Sequence, residues 1–124
     1  MERWAALAVG GIVGTFARYW IATRVPDVAG TGFPWGTLAI NLSACFVLGV
    51  LDSLAQIRQV MGPQARLLLM TGFCGAYSTF STWMLESSKL LSDGEPARAL
   101  ANLVGSAVAG FVLLRLGMLV GAVI

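Results

Sequence analysis

Residues 78–82 read Ser-Thr-Phe-Ser-Thr, four hydroxyls in five positions. They lie within residues 67–85, a stretch that carries no charge and is long enough to cross a membrane. A hydroxyl in such a stretch either bonds back to its own helix or turns to a ligand. Four together favour the ligand. Phe80 and Trp83 are three apart and share a helix face. Thr79, Thr82 and Glu86, spaced by three and four, form a polar stripe beside that aromatic one. Elsewhere Thr37 and Asn41 are four apart, and so are Asn102 and Ser106. Nearly all of these groups are neutral and can donate a hydrogen bond. Donors converging with aromatic ring edges, which carry partial positive charge, suit a small anion. Arg18 adds one buried positive charge.

The same inventory excludes other chemistries. There is no histidine, so the usual proton shuttle and metal ligand is missing. The acids nearest to span interiors, Asp52 and Glu86, stand towards span ends, which leaves no central proton relay. A cation channel favours carbonyl or acidic rings. Cys45 and Cys74 both fall in apolar segments and read as small buried hydrophobes. The expectation is a transport protein and not an enzyme. The scattered basic residues form no stripe that would suit nucleic acid.

The elements that must position these groups are membrane helices. The chain has 124 residues, 57% hydrophobic and 11% charged, with a mean hydropathy of +0.80. A soluble domain is about a quarter charged, and a membrane helix takes roughly 20 apolar residues. Four spans are expected, at about 4–23, 35–54, 66–91 and 97–123, forming a single all-α domain over 1–124. The apolar run after Arg3 imitates a signal peptide, but Arg18 and Tyr19 lie in the same helix and it reads as the first span. Residues 25–34, 56–66 and 92–96 carry the glycines, prolines and charges of loops, with Pro96 suited to a first helical turn. Gly10, Gly11, Gly14, Ala44, Gly49, Gly105, Ala109 and Gly110 read as small residues that let helices approach closely.

Gly72 and Gly75 weaken the third span. Unwound backbone in lipid is tolerated only where it is buried in protein or lines a cavity. Residues 72–79 therefore read either as a kink repaired by hydroxyls or as an unwound turn presenting carbonyls to an ion. Basic residues normally mark the cytoplasmic side. Here Arg3, Arg58, Arg66 and Arg115 fall on one side, and Arg18, Arg24, Lys89 and Arg98 on the other, four against four. That balance means either a weak bias set by one loop or, as the sharper reading, copies inserted both ways and paired antiparallel.

Three motifs together resemble the CrcB/Fluc family of bacterial fluoride channels: GGIVGTFARY (10–19), GTLAIN (36–41) followed by Phe46 and Gly49, and GFCGAYSTFST (72–82). The resemblance covers all four spans. It implies a dual-topology antiparallel homodimer in the bacterial inner membrane, with two fluoride pores along the dimer interface. Carried over, the pore residues are Asn41, Ser106, Phe80 and Trp83, and Thr37 stands on the face of Asn41. Thr79, Ser81 and Thr82 match the family's hydroxyl track, Glu86 its acid near the pore, and Arg18 its vestibule arginine. The resemblance also implies a structural sodium ion (Na+) at the dimer centre, on main-chain carbonyls of Gly75 and Ser78. Trp83 stands where the family has a second phenylalanine, Asn102 where it usually has tyrosine, and Ala44 where glycine is usual. The alternative is a small multidrug-type proton-coupled exporter, also short and four-span. It relies on a glutamate deep in span 1, where this chain has Arg18. A non-transporting assembly subunit would need no polar track.

Overall fold

The computed structural model describes residues 2–124, and among them every element is helical. α1 spans Glu2–Ala29, α2 Trp35–Gln56 and α5 Pro96–Val123. These three are long and apolar enough to cross a membrane. Between α2 and α5 lie α3 (residues 63–77) and α4 (Phe80–Ser92), the two halves of one interrupted segment. Most large apolar side chains on α1 and α5 point outward, as lipid-facing surfaces require.

The elements pair as α1 with α3 and α2 with α5, and glycine makes both contacts close. A Cβ at Gly10 would stand 2.9 Å from Phe73 N and 3.1 Å from Gly72 Cα. At Gly117 it would meet the carbonyl carbon of Phe46 at 3.0 Å and Val50 N at 3.1 Å. Gly49 and Gly121 complete the α2–α5 seam against the backbones of Leu114 and Val50. Without a hydrophobic drive between helices in lipid, such backbone approach is what associates them. Gly11 and Gly105 have open space instead. Where α1, α2 and α3 meet, Ile40, Ala44 and Tyr77 form a small core packed by Ala17, Ile21 and Phe73.

Two boundaries differ from the sequence reading. α1 runs on to Ala29, past the expected end near Thr23 and through Pro26. Proline removes a donor but its fixed φ is helical, and here it sits in the last turns, where Gly30 N–H donates to Pro26 O at 3.0 Å. Gly30, at φ +91°, then ends the helix as only glycine does readily. The second difference is the break. Gly72 and Gly75 are both helical, Gly72 in a π-wound stretch, Leu67–Cys74. The chain opens at Ser78 (φ −78°, ψ 158°) and Thr79 (φ −148°, ψ 117°) instead. Gly72 serves the contact with α1. The cause of the opening lies on another helix, as the site shows.

Candidate anion site

Asn41, on α2, faces the open backbone. Its Oδ1 accepts the Thr79 N–H at 2.9 Å, and its Nδ2 donates to Thr79 O at 3.0 Å. The carboxamide thus pairs with Thr79 as a neighbouring β-strand would; it satisfies the N–H that the break removes from the helix, while the Thr79 carbonyl, at the N-cap of α4, also opens that helix. A buried backbone group left unpaired costs about 1–3 kcal/mol, so this clasp is what makes the extended pair tolerable. Thr79 also caps α4: its Oγ1 accepts from Thr82 N at 3.4 Å and bonds Thr82 Oγ1 at 3.1 Å. On the other side of the break, Cys74 O takes the last donors, Ser78 N at 3.1 Å and Ser78 Oγ at 2.9 Å. The carbonyls of Gly75, Ala76 and Tyr77 have no following turn to donate to them.

A cavity of about 250 Å³ opens at this point. Asn41, Ser78, Thr79, Phe80, Trp83 and Ser106 line it, with Cys45, Ala107, Gly110 and Phe111. No charged side chain is on its wall. The rings of Phe80 and Trp83 meet edge to face, 5.5 Å between centroids. Phe80 is 70% exposed at the mouth. The N-terminus of α4 lies on the wall and contributes the positive end of the helix dipole. Asn41 has two amide hydrogens and gives one to Thr79. The second makes no bond to the protein, and Asn41 lines the void. The wall therefore combines an amide with a spare N–H, a helix N-terminus and two aromatic rings, with no charged group among them.

Five of the expected pore residues thus come together around one cavity, Asn41, Thr79, Phe80, Trp83 and Ser106, and Ser78, expected as a sodium ligand, lines it with them. Thr82 stands behind Thr79, bonded to it, and Thr79 caps α4 rather than standing in a helical stripe with Thr82 and Glu86. Ser81 points outward and Thr37 is buried one turn from Asn41. Glu86 and Arg18 stand off the wall; among the described residues, Glu86 Oε1 and Arg18 Nε are buried without a partner. Gly75 and Ser78 line a second, smaller cavity of about 150 Å³ with Ala44, Cys45, Leu48, Met70 and Cys74. No group of three or more His, Cys, Asp or Glu able to hold a metal occurs among the described residues. A cation there would have to use carbonyl oxygens, the donors that hard ions prefer.

Sequence reasoning missed Ser87. It is buried, donates to Trp83 O at 2.8 Å and accepts from Asn102 Nδ2 at 2.8 Å. Trp83 Nε1 donates to Asn102 O at 3.0 Å. The two positions at which the chain departs from the motif pattern, Trp83 and Asn102, thus bond to each other. A serine four residues after Trp83 is the only sequence signal. The Ser43–Tyr77 hydroxyl pair at 2.9 Å was also unforeseen; it ties α2 to the last turn before the break.

Apolar helices with an interrupted segment, closing on a charge-free donor cavity, define a membrane transport protein of the channel type. Residues 5–118 match the family model described as CrcB-like protein, Camphor Resistance (CrcB), and the chain belongs to that family. Similar proteins include the fluoride-specific ion channel FluC of Chlorobium phaeobacteroides strain BS1, 47% identical over 94% of this chain and 93% of the relative. The protein of the same name from Solidesulfovibrio magneticus is 40% identical over 100% and 99%. That from Chlorobaculum tepidum is 43% identical over 96% and 94%. The name is that of an ion channel and not of an enzyme.

Proposed function

We propose that this chain is a fluoride channel that lets fluoride leave the cell passively across the bacterial inner membrane. The observation that carries the reading is the free amide hydrogen of Asn41 on a charge-free wall beside the α4 N-terminus. Fluoride is small and holds water tightly, so a pore must replace that water with donors. Asn41 supplies a fixed one, because its other contacts lock the carboxamide in place. The ring edges of Phe80 and Trp83 supply partial positive charge without a competing cation. A cation meets donors facing the wrong way. Passive conduction follows from a wall without an acid or histidine to carry a proton. Thr37, Ser81, Thr82, Glu86 and Arg18 would extend the polar path beyond this cavity.

In this reading α3 and α4 together form a fourth membrane crossing, and two copies pair antiparallel with two pores. The balanced charges, the exposed Phe80 at the cavity mouth and the open space beside Gly75 support the second copy. The carbonyls of Gly75 and Ser78, with the partner's, would hold a sodium ion. The carbonyl oxygens freed at the break are the ligands that such a hard ion prefers, and the ion would tie the two breaks together. A multidrug-type exporter fits less well, since the acids of α1 lie only towards its ends, at Glu2 and Asp27.

The test is fluoride efflux from liposomes that hold this chain alone. We expect sustained efflux driven by the fluoride gradient. Strict one-for-one coupling to protons, or no efflux, would overturn the reading.

A further inference from the structure

The network behind the cavity has a direction. Ser87 has one hydroxyl hydrogen, and it lies on Trp83 O at 2.8 Å. Ser87 Oγ therefore accepts from Asn102, whose Nδ2 is 2.8 Å away. This turns Asn102 Oδ1 towards Ser106. An amide oxygen only accepts, so Ser106 gives its single hydrogen to Asn102 Oδ1, at 3.2 Å. Ser106 lines the cavity; Ser87 and Asn102 do not. Ser87 is 3% exposed and Asn102 2%, so water does not compete for the bond between them. The hydroxyl on the wall is thus held with its hydrogen turned away from the void.

We propose that Asn102 is a specificity-determining residue, a competing acceptor from which an anion must take the Ser106 hydrogen. This rests on the reading of the cavity as an anion pore. The Ser106–Asn102 bond is long for O–H···O and exchanges readily for a charge-assisted one. A compact anion of high charge density draws the hydroxyl round; a larger halide, a weaker acceptor held further off, leaves it on the amide. Discrimination then comes partly from a residue the ion never touches. Asn102 is a positioning residue, and its backbone carbonyl also holds the Trp83 indole in place.

The experiment measures fluoride and chloride efflux from liposomes for Asn102→Leu and Ser87→Ala, each alone and in a Ser106→Ala background. Leucine removes the competing acceptor and keeps the backbone carbonyl for Trp83. The fluoride-to-chloride ratio should fall about threefold to tenfold, the span of one hydrogen bond's net strength. Ser87→Ala frees the carboxamide to turn and should lower the ratio by about twofold to threefold. In the Ser106→Ala background neither change should move the ratio further. A wild-type ratio in Asn102→Leu overturns the proposal, as does an equal fall without Ser106. Should Asn102→Leu elute aggregated, an unchanged ratio in Ser87→Ala overturns it as well. Failure of the parent chain to pass fluoride would instead overturn the channel reading itself.

Discussion

Helix α2 meets its neighbours in two ways along its length. Towards its C-terminal end it lies on α5 through Gly49, Gly117 and Gly121, and the polar group there, Ser53, is fully buried and donates to Met118 O at 2.6 Å. Towards its N-terminal end it presents Asn41, whose carboxamide clasps Thr79 and keeps one hydrogen for a void. Both regions combine small and polar residues, as membrane helices often do. The difference is unused capacity. Ser53 has spent its only hydrogen on packing, whereas Asn41 retains a donor beside open volume. Polarity inside a membrane segment marks function where a donor is left over, not merely where one occurs.

Four substitutions break or sharpen this contrast. Gly117→Val should have the largest effect, because its Cβ would meet the Phe46 backbone with no flexible side chain to yield. We expect no monodisperse protein on size-exclusion chromatography in detergent. Asn41→Ala comes next. It strips the clasp and the spare donor together, at about 1–3 kcal/mol for the Thr79 N–H left unpaired, and fluoride efflux should fall at least about tenfold. Efflux within twofold of the parent would remove Asn41 from the pathway. Trp83→Phe loses the indole bond to Asn102 O, worth about 1 kcal/mol of stability. It keeps an aromatic edge on the wall, so efflux should stay within about threefold of the parent; a collapse of transport would give the tryptophan a role of its own. Ser53→Ala should do least: about 1 kcal/mol in thermal stability and unchanged efflux, since Met118 O keeps its helical partner.

Much of the site was legible in the sequence. Helix spacing brought Phe80 to Trp83 and Asn102 to Ser106, because contacts three and four apart need only the local helix. The seam residues Gly10, Gly14, Gly49 and Gly110 were legible as packing for the same reason: a small residue in lipid has few other uses. The break was legible only to within residues 72–79, not at the two residues that open. Gly72 and Gly75 are the weak helix formers, yet Ser78 and Thr79 open, because Asn41 approaches from another helix and offers Thr79 a better set of partners. Such a cause depends on how α2 is aligned against α3, which no local pattern encodes. The extension of α1 through Pro26 was missed because a proline in a last turn costs less than a proline inside a helix. Ser87 was missed because the partner that gives it a role, Asn102, lies 15 positions away on another helix.

The Asn41 clasp also bears on how the chain is made. Residues 63–92, wound as one unbroken rod, would measure about 45 Å at about 1.5 Å per residue, well beyond the roughly 30 Å of a bilayer's hydrocarbon. Nothing within that segment forces it to open, since its glycines stay helical. The opening at Ser78–Thr79, held by Asn41 of α2, divides that length into two shorter rods. The cavity and its mouth are thus products of the seating of α2: the residue that holds the chain open also stands on the wall it creates.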